Sequence, residues 1–249
     1  MGMLTLSGDY TRFTAFSLTH IVALVACALL ILLLYVAKSW LQQGDRRRLF
    51  ARLTLVGILG AAEAALNVWY VREDAFGLSD TLPLELCSIS LYMCILMLLF
   101  RSKRLFQIVY FTGIGGAMQA LLTPVLTYGF PHFRFLQFFL AHSFIILAVL
   151  YMVWVEKFRP TLRSIGLTMI FLNLLLVIIL LVNKATGGNY MFVSRKPDTA
   201  SVLDLLGPYP WYLLSMEGLA VVIFLLLYAP FHAGNRRERR QLQLNKQGD

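Results

Sequence analysis

Charge is scarce in this chain. Only 14% of its 249 residues are Asp, Glu, Lys or Arg, where a soluble domain carries about 25%. Acidic residues are the scarcest, 13 against 22 basic ones. Cysteine is nearly missing too: Cys27, Cys87 and Cys94 all fall in apolar runs, so no disulfide framework can be read. There is no internal repeat and no low-complexity tract. There is also no basic lead before a short apolar stretch, so no cleavable signal peptide is expected. So little charge is not that of a soluble domain, and in a chain this short, filled with spans, no second globular domain is expected.

What is present is apolar sequence: 59% hydrophobic residues and a mean hydropathy of +0.71. A membrane crossing takes about 20 apolar residues. Seven stretches qualify: Ser17–Lys38, Phe50–Val71, Leu82–Phe100, Phe106–Leu126, Phe135–Val155, Leu162–Val182 and Pro210–Pro230. The expected fold is therefore all-α, a polytopic bundle of seven transmembrane helices over residues 17–230. A short N-terminus, 1–16, precedes it, and a basic tail, 231–249, follows.

The basic residues alternate between connections. Sixteen of the 22 lie in the segments after the first, third, fifth and seventh stretches, among them Arg46, Arg47, Arg48, Arg101, Lys157 and Arg236. By the positive-inside rule those segments are cytoplasmic and the N-terminus is extracytoplasmic. The net charge of +9 thus reads as topology and contact with anionic lipid heads. Nucleic acid is not expected as a partner, because no folded basic face exists to hold it. The expected location is a cell (plasma) membrane, multi-pass, with membrane lipids as the partners.

Polar side chains inside the spans are costly and mark function by default. With 1.5 Å of rise per residue, Glu63, Asn67, Glu85, Cys87, Gln119, His142 and Glu217 all fall in the outer part of their spans. Scattered structural residues need not share a layer, so a polar cavity toward the outer leaflet is expected. Glu63 and Asn67, four apart, share a face. Glu85 and Cys87, two apart, cannot share one on a regular helix. The longest outer connection, 183–209, carries Gly187, Gly188, Asn189 and Tyr190. Its aromatic residues point either to an interfacial belt or to a loop dipping toward the bundle.

Cys87 with His142 is the sharpest chemical reading. A thiolate is the attacking form of cysteine, and an imidazole within reach can take its proton and return it to a leaving group. Ester carbonyls of phospholipids lie at the depth expected for both residues. Asn67, Gln119, Asn189 and Tyr190 are the candidates to bind substrate or the oxyanion. Glu63, Glu85 and Glu217 are the supporting polar groups. No cofactor and no metal are expected. Each residue also has a plain structural role open to it: Cys87 as a small buried hydrophobe, His142 and Glu63 as interhelical hydrogen-bonding groups, Glu85 as complement to a helix N-terminus.

Four motifs, LPLELCSI, FFLAHSF, GGNYMFVSRKP and SVLDLLGPYPWYLL, resemble those of bacterial integral membrane proteins related to animal transmembrane protein 164. The resemblance runs from the second span to the seventh. It implies a phospholipid or lysophospholipid acyltransferase whose catalytic pair is a cysteine of the third-span motif and a histidine of a later span, here Cys87 and His142. A lipid ester hydrolase uses the same pair. The alternative is a small-solute or proton-coupled transporter using the intramembrane Glu and His residues, against which the lack of repeats weighs.

Overall fold

The computed structural model describes residues 11–197 and 202–245; for Val202 and residues 233–245 it describes the backbone alone. Seven α-helices form: α1 Leu18–Gln42, α2 Asp45–Arg72, α3 Leu86–Phe100, α4 Lys103–Leu122, α5 Phe133–Trp154, α6 Leu162–Thr186 and α7 Trp211–Asn245. Two short 3-10 turns, Tyr190–Phe192 and Val202–Leu206, lie between α6 and α7. No strand forms among the described residues, where a single isolated bridge pairs Arg12 with Tyr128. Six helices are long and apolar enough to cross a membrane.

Local chemistry sets most helix ends. Ser17 and Ser102 accept from the backbone N–H groups of His20 and Leu105, and Thr161 with Ser164 builds a reciprocal capping box on α6. Pro124 lies just beyond the last turn of α4, which closes at Thr123. Gly187, with φ +71°, ends α6 in the left-handed conformation that glycine adopts without strain. The backbone of α7 runs past Pro230, where the expected span closes, through Gly234 and Asn235 into an Arg-, Gln- and Leu-rich stretch of good helix formers. Of the expected basic tail, Lys246 lies outside the described residues, and only the backbone is described for Arg236 to Arg240.

The exception is α3. Its expected span began at Leu82, yet helix starts only at Leu86. At 15 residues it is about 22 Å long, short of the roughly 30 Å hydrocarbon core. Residues 82–84 are apolar, so hydropathy does not distinguish them. Hydrogen bonding does: the Leu82 N–H donates to the Tyr190 hydroxyl at 3.0 Å, and Leu84 N–H turns back to the Leu82 carbonyl at 2.7 Å. Pro83 has no N–H to give a helix. Irregular backbone at this depth is tolerated where protein or a cavity covers it.

Helices α4 and α5 form the centre, and Phe106, Val109, Phe111, Ala148, Val149, Tyr151 and Met152 are wholly buried there. Cys94 and Cys27 belong to the same core. Around it, α1, α6 and α7 turn Val36, Leu174, Leu181 and Leu226 outward. Such an apolar exterior demands lipid, not water.

Short connections gather at one end of the bundle. Arg101 donates to the Glu156 carboxylate at 2.6 Å, and the Tyr151 hydroxyl lies 3.2 Å from it. Glu156 is 1% exposed and Arg101 53%. Removing the buried acid strands two partners, one of which keeps access to water. Glu156→Ala is expected to cost about 2 kcal/mol, read as a lower melting temperature in detergent. An unchanged melt would show that the pair holds nothing together.

Candidate functional site

At the opposite end, the short α3 leaves a cavity of about 460 Å³ between α2, α3, α4 and α5. Six of the polar residues nominated from sequence line it: Glu63, Asn67, Glu85, Cys87, Gln119 and His142. They come from four different helices and the segment before α3. Leu91 and Ile145 close it toward the core.

Cys87 is the second residue of α3, and Glu85 is its N-cap with extended backbone (φ −66°, ψ 147°). The two therefore open onto the same cavity, which a regular helix through Leu82–Phe100 would have forbidden. The expectation that they face apart is corrected by the late start of α3. Glu85 makes no capping hydrogen bond; its carboxylate accepts instead from Met191 N–H at 3.1 Å. The first N–H groups of a helix have no partner within it, and Leu86, Cys87 and Ser88 all line the cavity. The Cys87 side chain thus leaves from the N-terminal turn of α3, at the positive end of that helix. On its other side lies Gly116 of α4, where an added Cβ would stand 4.0 Å from Sγ.

His142 is buried in α5, its ring 4.1 Å from that of Phe138. Nδ1 lies 2.7 Å from the Phe138 carbonyl and so carries the proton. Nε2 is left with its lone pair, the tautomer required of a base. No hydrogen bond joins Cys87 to His142 among the described residues. Both face the cavity, and a substrate between them is what would bring sulfur and nitrogen into relay, as catalytic contacts often tighten only on binding.

Glu63 is tied by the Tyr92 hydroxyl at 3.2 Å, and the Asn67 side chain donates to the Glu63 carbonyl at 2.9 Å. Gln119 makes no side-chain hydrogen bond among the described residues and keeps its amide available. Three nominated residues lie elsewhere. The Asn189 amide is spent on Ser194, Arg195 and the Arg195 carbonyl, folding its own loop. Tyr190 is 2% exposed, and its hydroxyl bridges Leu78 O and Leu82 N. Burial raises this phenol above its ordinary value, so it stays a neutral donor. Neither residue lines the cavity, and the loop engages their polar atoms. Glu217 opens onto a second cavity and pairs with neither Lys184 nor Arg195 among the described residues.

The loop between α6 and α7 does dip toward the bundle. Met191 and Phe192 both line the cavity in left-handed backbone conformations, φ 56° and 51°, which cost about 1–3 kcal/mol for residues with a Cβ. Asn183 grips Tyr190 at both N–H and carbonyl, and the Tyr212 hydroxyl donates to Phe192 O. Trp211 and Tyr209 stay exposed, as an interfacial belt would have them.

Sequence reasoning missed Arg134, the one cation among the described residues that line the cavity, beside the acids Glu63, Asp80 and Glu85. It donates to Gln137 Oε1 at 2.9 Å and lies 5.5 Å from the Tyr70 ring centroid. The signal was its spacing: Arg134, Phe138 and His142 recur every four residues, one face of α5. Among the described residues no three His, Cys, Asp or Glu side chains gather as a metal set would require.

Comparison with known proteins gives the lineage. A curated relative, an uncharacterized protein of Treponema pallidum (strain Nichols), is 27% identical over 163 residues, covering 66% of this chain and 67% of its own. No solved structure matches. The model of the TMEM164 family matches residues 15–228, which holds all seven helices up to the middle of α7, the cavity, Cys87 and His142: the chain belongs to the TMEM164 family.

Proposed function

We propose that this membrane protein transfers fatty acyl groups between phospholipids, with Cys87 as nucleophile and His142 as base and acid. The observation that carries the reading is the shared cavity: a thiol in the first turn of α3 and an imidazole with its Nε2 lone pair both open onto it. In the first step Sγ attacks the ester carbonyl and its proton passes to Nε2. The C–S bond forms, the C–O bond breaks, and Nε2 returns the proton to the departing lysophospholipid oxygen. In the second step another lysophospholipid hydroxyl gives its proton to Nε2 and attacks the thioester. The new C–O bond releases the thiolate, which regains the proton. With water as acceptor the same route ends in a free fatty acid. Gln119 and the N–H groups of Leu86 to Ser88 stand ready for the oxyanion. Arg134 is the group to hold the phosphate, as guanidinium suits it.

In the same reading all seven helices sit in a bacterial plasma membrane, with the N-terminus outside and the cavity in the outer leaflet half. Transport would need a polar route to both faces, and the side of the cavity toward the core is closed by Leu91 and Ile145.

A lipid-shaped thiol-reactive probe added to membranes tests the pair. Labelling is expected at Cys87, with Cys27 and Cys94 spared, and to fall at least tenfold in His142→Ala. Equal labelling of Cys94, or indifference to His142, overturns the assignment. Arg134→Gln is expected to raise KM for phospholipid about tenfold while leaving hydrolysis of a small uncharged thioester-forming ester intact. Equal losses on both substrates would deny it a phosphate role.

A further inference from the structure

A second cavity of about 170 Å³ lies between α4, α6 and α7. It adjoins the first: Leu86, Gly116, Gln119, Met191, Leu203 and Met216 line both. Its character is opposite. Only Thr112, Gln119 and Glu217 among its lining residues carry polar side chains, and the Thr112 hydroxyl is engaged by Ser90 at 3.2 Å. A space so apolar has no use for a headgroup or an ion.

We propose that this second cavity is the acyl-chain chamber, holding the fatty acyl group whose carbonyl is presented to Cys87. This rests on the acyl-transfer reading. The junction of the two spaces lies at Gly116, whose added Cβ would stand 3.8 Å from Leu86 and 4.0 Å from the Cys87 sulfur. One residue back, a Cβ on Gly115 would meet Ile223, Phe224 and Leu227 of α7 at 3.5–3.9 Å. The two glycines therefore keep a smooth wall on α4 along which an alkyl chain can lie. A chain in the chamber has its carbonyl end where sulfur, Gln119 and the α3 N-terminus converge. The headgroup then falls in the polar cavity beside Arg134. At roughly 30 Å³ for a water-sized group, the chamber encloses only the part of the chain nearest the carbonyl. The remainder leaves between α6 and α7 into lipid.

The test is photo-crosslinking in phosphatidylcholine vesicles whose sn-2 chain carries a diazirine near the carbonyl. Adducts are expected on Met169, Leu172 and Ile223 in at least fivefold excess over the lipid-facing Leu174 and Leu226, which are 62% and 68% exposed. Ala220→Trp, which fills the chamber, is expected to cut the chamber adducts at least fivefold. If that variant does not fold, Leu176→Trp serves, and the wild-type map decides by itself. Adducts spread evenly over inner and outer faces, or unmoved by filling, overturn the chamber. Detection of an acyl-thioester in the same wild-type sample separates the two claims. Chamber adducts without any acyl-thioester in wild type would defeat the Cys87 mechanism alone. A thioester without chamber adducts would defeat the chamber alone.

Discussion

Cys87→Ala is expected to remove acyl transfer and ester hydrolysis by a factor on the order of 10³ or more, with the fold intact. The residue sits in the first turn of α3, lining a cavity and outside the packed core. Truncation to Ala leaves a slightly larger space beside Gly116 and strands no buried polar partner. The loss should therefore appear in turnover and not in thermal unfolding. Cys94→Ala makes the opposite control: it opens a hole in a fully buried position and is expected to cost about 1–3 kcal/mol of stability with the chemistry kept. Acyl exchange between labelled phosphatidylcholine and lysophospholipid, followed in purified protein, reads the first. Detergent melting reads the second. Equal turnover in wild type and Cys87→Ala would end the nucleophile assignment.

Gly188→Ala is expected to be the most damaging change in the loop between α6 and α7. An added Cβ there would overlap the backbone carbonyl oxygen of Ser79 and stand 3.0 Å from Thr186 Oγ1. Backbone cannot swing aside as a long side chain can. The loop must lift, and its neighbours lose their seats: Tyr190 its bonds to Leu78 and Leu82, Met191 its bond to Glu85. The expected cost is about 1–3 kcal/mol from the overlap, with turnover down at least tenfold because Met191 and Phe192 wall the cavity. Gly218→Ala is the contrast, since nothing lies within 4 Å of a Cβ at that position. Wild-type melting and turnover in Gly188→Ala would mean that the loop has no part in shaping the site.

Helix number and placement were legible because lipid-facing surfaces need long apolar runs, and α1, α2 and α4 to α7 have them. The start of α3 was not. Leu82, Pro83 and Leu84 are as apolar as the helix that follows, and what stops them is a tyrosine hydroxyl more than a hundred residues away. That one misplaced boundary also misjudged Glu85 and Cys87, which face apart only if both are helical. Six cavity residues were legible through shared depth. Asn189 and Tyr190 were not, since a polar atom in a Gly-rich loop gives no sign of whether it turns to substrate or back on its own chain. Arg134 hid among the charges that had been counted for topology alone.

The brevity of α3 reaches beyond the site. Its helical part is roughly 8 Å shorter than an ordinary hydrocarbon core, and Tyr92, Leu96 and Leu99 are exposed along it. Acyl tails next to it must compress or splay to match, at fractions of a kcal/mol per ångström. Set in a bilayer, such a flank would draw the two leaflets together beside the helix that carries the thiol.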